Sequence, residues 1–74
     1  MTVKRSIAIR GHRTSISIED EFWSEFQAIA EDRRQPVAAL VAEIDAKRSP
    51  AVNLSSAVRL FVLADALRRA AADQ

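Results

Sequence analysis

Arg13-Thr14-Ser15-Ile16-Ser17-Ile18 alternates strictly between polar and β-branched positions, and a helical pattern begins directly after it. Successive strand residues point to opposite faces, so Thr14, Ile16 and Ile18 share one face while Arg13, Ser15 and Ser17 share the other. The first face suits a core. The second is a row of hydrogen-bonding side chains with no apolar member, in a segment without an acid before Glu19. A lone strand cannot satisfy its own backbone N–H and C=O groups, so residues 13–18 require a partner strand.

Two sources of that partner are open. Ser6-Ile7-Ala8-Ile9-Arg10 reads as a second short strand, turned back by Gly11-His12 as a two-residue loop. The alternative is that residues 1–12 form a basic N-terminal arm and the partner strand comes from a second copy of the chain. Joining strand to strand across a two-fold axis would place Thr14, Ile16 and Ile18 over the helices and turn Arg13, Ser15 and Ser17 outward.

The period changes after Ile18. Phe22, Trp23, Phe26, Ile29 and Ala30 fall on one stripe of an amphipathic helix over about 19–33. Ser17 with Asp20 matches a capping box, and Glu19-Asp20-Glu21 put negative charge where the helix dipole favours it. Gln35-Pro36 breaks the chain, with Pro36 expected at the first position of a second helix over about 36–47. Val37, Leu40, Val41 and Ile44 form its apolar stripe. A third helix opens at Asn53, a good N-cap, and runs to about residue 70. Ala57, Val58, Phe61 and Val62 make one stripe on it, and Leu60, Leu63, Ala64 and Leu67 an adjoining one. A helix apolar over so much of its circumference needs cover on more than one side; a second subunit is expected to supply it, the alternative being a central place in a three-helix monomer.

Composition sets the limits. With 74 residues, 49% of them apolar, the chain is one small domain near the size at which association commonly helps. It has no cysteine, which rules out a disulfide framework and thiolate metal sites. No apolar run approaches the roughly 18 residues of a membrane span, and the N-terminus lacks a signal-peptide core, so a soluble cytoplasmic protein without membrane contact is expected. The net charge of +1 conceals a division. Residues 1–18 carry Lys4, Arg5, Arg10 and Arg13 with no acid, whereas residues 19–34 carry six acids against Arg33 and Arg34.

A two-stranded ribbon fits the major groove of B-DNA, where Arg addresses guanine O6 and N7 and Ser donates or accepts at several base edges. The start of the second helix, near Gln35, Val37 and Ala38, would offer free N–H groups to a phosphate. The pattern resembles the ribbon-helix-helix family of bacterial and phage transcriptional regulators. The resemblance rests on Arg13–Ile18, the helix from Glu19 to Arg34, and Pro36-Val37-Ala38-Ala39-Leu40-Val41-Ala42-Glu43-Ile44. Arg10-Gly11-His12-Arg13-Thr14-Ser15, Glu19-Asp20-Glu21-Phe22-Trp23 and Asn53-Leu54-Ser55-Ser56-Ala57-Val58-Arg59 further resemble a small bacterial subfamily with an extra C-terminal helix. Two departures stand out: Gln35-Pro36 opens the second helix where family members usually have a small or hydroxyl residue, and the third helix and the basic N-terminal segment lie outside the minimal motif.

The resemblance implies a mainly α fold with one short β-strand, or two. The expected assembly is an intertwined homodimer with an intersubunit antiparallel ribbon and a third helix. Residues 13–48 would be the ribbon-helix-helix core, 1–12 an arm or extra strand, and 53–70 an added helix. Arg13, Ser15 and Ser17 become the base-reading residues, and Lys4, Arg5, Arg10, His12, Gln35, Val37 and Ala38 the phosphate contacts. Thr14, Ile16, Ile18, Phe22, Trp23, Phe26, Leu40, Val41, Ile44, Val58, Phe61 and Val62 become core or dimer contacts. The function implied is sequence-specific binding of double-stranded DNA at an inverted repeat, as a repressor. The alternative is a protein-interaction module, an antitoxin-like or adaptor dimer whose third helix binds a partner protein.

Other chemistry finds no support. His12 is the sole histidine and has no metal-binding neighbour; the acids of residues 19–25 have an ordinary place at a helix start; Ser55 and Ser56 read as first-turn residues; Gly11 is the sole glycine, so no phosphate loop exists. Trp23 with Phe22 and Phe26 belongs to a core stripe rather than a base-stacking platform. No cofactor, metal or enzymatic activity is expected.

Overall fold

The computed structural model describes residues 1–73. A β-hairpin leads into three helices: β1 (Thr2–Ile9), β2 (His12–Glu19), α1 (Asp20–Asp32), α2 (Val37–Lys47) and α3 (Leu54–Ala72). β1 and β2 pair antiparallel from Thr2↔Glu19 to Ile9↔His12, so the strand required by residues 13–18 is the chain's own N-terminal segment. The ribbon is intrachain. The expected intersubunit ribbon is replaced because residues 2–9 alternate in phase with residues 12–19 and fill the hydrogen-bonding edge of β2.

Arg10 and Gly11 form the connecting loop, with φ of 48° and 78°. A two-residue loop with both central residues at positive φ is the type I′ arrangement, whose twist matches that of the strands. The expected loop at Gly11-His12 is thus displaced by one residue. Centring the turn there would set Arg10 opposite Arg13, a like-charge cross-strand pair; in the observed register Arg13 lies opposite Ala8.

The apolar face of the ribbon lies on the helices. Ile7, Ile9, Ile16 and Ile18 are buried together with Phe26, Ile29 and Ala30 of α1, Leu40, Val41 and Ile44 of α2, and Ala57, Val58 and Val62 of α3. Phe22, Trp23 and Phe61 are partly buried at its margin, and the rings of Trp23 and Phe61 each lie 6.0 Å from that of Phe26. Thr14 is half-buried. Dispersion and apolar burial therefore bind the two layers within one chain.

The helix ends show where local signals were overridden. Ser17 stays in β2, and α1 starts with Glu19 as an N-cap that makes no side-chain hydrogen bond, so the anticipated Ser17–Asp20 capping box does not form. Its first turn keeps Asp20 and Glu21, the favourable sign for the dipole. At the other end, Gln35 N–H donates to Ala30 O and Arg34 N–H to Glu31 O, a Schellman arrangement with Arg34 at φ 55°. Pro36 is the N-cap of α2, with ψ 145°, rather than its first helical residue. Asn53 caps α3 as expected, its Oδ1 accepting from Ser56 N–H at 2.9 Å.

Candidate nucleic-acid interface

The register determines which side chains share the solvent face. Residues directly opposite in an antiparallel ladder project to the same side. Lys4↔Ser17, Ser6↔Ser15 and Ala8↔Arg13 therefore form one face, and all six residues are exposed. Arg13, Ser15 and Ser17 stand together on it, as the alternation required. Lys4 joins them from β1, with Ser6 and Ala8, which the sequence pattern had left unassigned.

β2 is held from both sides. Ser17 N–H donates to Ser55 Oγ at 2.9 Å, and Arg59 Nη2 donates to Ser17 O at 2.8 Å. Both backbone groups of Ser17 thus face away from β1 and are closed by the first turns of α3. Arg59 Nε also donates to Glu19 Oε1 at 2.8 Å, and this contact holds the Glu19 carboxyl below its ordinary pKa. A carboxylate at the end of the polar face is thereby partly neutralised by its own cation.

The remaining cations are divided between the two faces. Arg5 lies on the inner face, half-buried, with Nη2 donating to Asp20 Oδ1 at 2.8 Å and its guanidinium 4.7 Å from the Trp23 ring centroid. It does not stand beside Lys4 and Arg13. Arg10, in the loop, reaches back to α2, where Nη2 donates to Ala42 O and to Asp45 Oδ2, both at 3.1 Å. Asp45 also accepts from Arg48 Nε at 2.8 Å. His12 and Arg13 line a recess with Arg10, Arg48 and Asp45 beside the loop, so a cationic margin adjoins one end of the outer face.

Gln35, Val37 and Ala38 form the α1–α2 junction. Gln35 N–H is already bonded to Ala30 O, and the side chains of Val37 and Ala38 pack against the core. Ala39 and Leu40 N–H both donate to Pro36 O, which leaves Val37 and Ala38 N–H as the first-turn donors of α2. No group of at least three potential metal ligands occurs among the described residues. Among those residues no helix is long and apolar enough to cross a membrane.

The model of a family described as "Ribbon-helix-helix domain" matches residues 2–66. The chain belongs to the ribbon-helix-helix family. The match runs from the start of β1 into α3 as far as Ala66, so both the basic N-terminal strand and most of the third helix lie within the matched ribbon-helix-helix domain. Ribbon-helix-helix domains are in general DNA-binding regulatory folds, not enzymatic ones, and typically homodimerise. Comparison with curated proteins and with solved structures returned no match.

Proposed function

We propose that this protein binds double-stranded DNA sequence-specifically through the outer face of β1–β2 and regulates transcription as a repressor, by occupying a promoter-proximal site. The observation that carries the proposal is the outer face itself: Lys4 and Arg13 as cations, with Ser6, Ser15 and Ser17 as hydroxyls, on a ribbon of major-groove width. Arg13, Ser15 and Ser17 address base edges, with Lys4 on the same face; His12 approaches a phosphate from the margin. Arg10 reaches a phosphate by leaving Asp45. Val37 and Ala38 N–H are the helix-terminal donors available for a further phosphate, with Gln35 beside them. Such a protein works in the cytoplasm, where the DNA is.

The homodimer is assigned to α3. Leu60, Leu63 and Leu67 lie on one helix face and are 55%, 49% and 61% exposed, an apolar line that the monomer leaves uncovered. Every residue from Ala66 to Asp73 is exposed. A second copy is the occupant that fits family habit: in an antiparallel crossing Leu60 of each helix meets Leu67 of the other, and Ala64 and Ala66 allow close approach. Two ribbons in one dimer would read an inverted repeat.

Fluorescence anisotropy with duplex DNA tests the function. Affinity should fall steeply with salt, and Arg10→Ala should reduce the slope by about 1 for each chain bound. Binding that ignores salt, or is untouched by Arg13→Ala, would overturn it. Sedimentation of Leu63→Glu tests the dimer, which should dissociate. A dimer that survives this change, with α3 captured instead by a different protein, would favour the adaptor alternative.

A further inference from the structure

Lys4-Arg5-Ser6-Ile7-Ala8-Ile9 and Arg13-Thr14-Ser15-Ile16-Ser17-Ile18 repeat one pattern nine residues apart: cation, polar, serine, isoleucine, small, isoleucine. The pairing register converts this linear repeat into a spatial one. Ser6 lies opposite Ser15, and an axis through that pair, perpendicular to the ribbon, exchanges Lys4 with Arg13 and Ala8 with Ser17. On the buried side the same axis exchanges Ile7 with Ile16 and Ile9 with Ile18, all four of which are in the core. The outer face has a cation at each of two diagonal corners, hydroxyls at its centre, and one broken correspondence, Ala8 for Ser17.

We infer that a single chain carries both halves of a quasi-two-fold reading head, in which Lys4, Ser6 and Ala8 determine specificity together with Arg13, Ser15 and Ser17. The inference rests on the duplex-binding function proposed above. A second copy's strand is not needed to complete the ribbon, because β1 supplies it. Nor is the opposite edge of β2 open for one at Ser17, where Ser55 and Arg59 occupy the backbone groups. The three outer cross-strand pairs span four residue rises, about 14 Å. At 3.4 Å per step that covers about four base pairs.

The ligand is therefore a short, nearly palindromic duplex element whose two ends are read differently. Arg13 can form a bidentate pair with a guanine at one end. Lys4 supplies a single-point donor at the other. Beside Arg13, the Ala8 methyl suits apolar contact with a thymine methyl, where its counterpart Ser17 offers a hydroxyl.

Selection of bound duplexes from a random-sequence pool, followed by stoichiometry on the selected element, tests this with the full chain. One chain per element of about four base pairs, and so two per inverted repeat, is expected. Arg13→Ala should lower affinity for the element by about tenfold and relax base preference at one end only. Lys4→Ala should relax the other end, and Ala8→Ser should make the two ends more alike, with circular dichroism unchanged in each variant. A single four-base-pair element that needs two chains, with Lys4→Ala and Ala8→Ser silent in base preference, would overturn the inference while leaving DNA binding intact. Failure to enrich any element, with no salt-sensitive binding, would overturn the underlying function as well.

Discussion

Replacing Gly11 with alanine isolates the intrachain turn from every other feature of the fold. Gly11 has φ 78°, and a Cβ built there meets nothing within 4 Å. The substitution therefore adds no clash and removes no contact; its cost is conformational. Holding an L-residue in the left-handed region costs about 1–2 kcal/mol. Reduced freedom of the unfolded chain returns about 0.4–1 kcal/mol. The net loss expected is about 1 kcal/mol, which for a domain of this size lowers Tm by about 4–8 °C. Urea and thermal unfolding at low micromolar concentration, followed by circular dichroism, measure it. Arg10→Asn is the companion variant: asparagine tolerates positive φ and favours a type I′ turn before glycine. It gives up only exposed contacts to Ala42 and Asp45, so stability should stay within about 0.5 kcal/mol of wild type. A Gly11→Ala protein as stable as wild type, or more stable, would refute the reasoning. That is the sign expected if residues 10–11 belonged to an extended arm, where only the unfolded-state effect operates.

Phe26 is fully buried between Trp23 and Phe61, so Phe26→Ala should cost about 3–5 kcal/mol and bring denaturant unfolding close to zero denaturant. Arg34 closes α1 at positive φ, and Arg34→Gly should raise stability by about 0.5–1 kcal/mol, read from the urea midpoint. Glu19 has a lowered pKa in the folded state because Arg59 bonds its carboxylate. Its contribution is therefore complete above the ordinary glutamate pKa and disappears as pH falls through the lower folded value. Stability profiles of wild type and Glu19→Gln should differ at neutral pH and converge in acid; parallel profiles down to acid would remove that role.

The alternation in residues 13–18 was enough to assign a strand, an inner face of Thr14, Ile16 and Ile18 and an outer row of Arg13, Ser15 and Ser17, because period and side are linked by backbone geometry. Phe26, Leu40, Val41, Ile44, Val58 and Val62 were legible as core for the same reason at helical spacing. The source of the partner strand was not. Alternation specifies that a strand needs a neighbour but not which chain supplies it, and the Arg10-Gly11 turn is a weaker local signal than Asn-Gly. The nine-residue repeat in Lys4–Ile18 was the available clue, since two copies of one pattern separated by a glycine turn can zip on themselves. Arg5 shows a different limit. A cation in a basic segment reads as a phosphate contact, yet its strand parity places it inside, against Trp23 and Asp20. Ser17's role in anchoring α3 through its backbone leaves no trace in residue type, since any residue carries those groups.

A cysteine pair at positions 6 and 15 addresses the origin of the ribbon without intermediaries. Ser6 and Ser15 lie directly opposite on the solvent face, and the sequence contains no cysteine of its own. By alternation from Ser17 they form a non-hydrogen-bonded pair, with a Cα separation of about 4.5 Å that accepts a disulfide. Oxidised Ser6→Cys/Ser15→Cys protein should migrate as a cross-linked single chain on a non-reducing denaturing gel at every concentration tried. Covalent dimers from that variant, or from Ser15→Cys alone in comparable yield, would mean that the strands meet between molecules and that one chain does not build the ribbon.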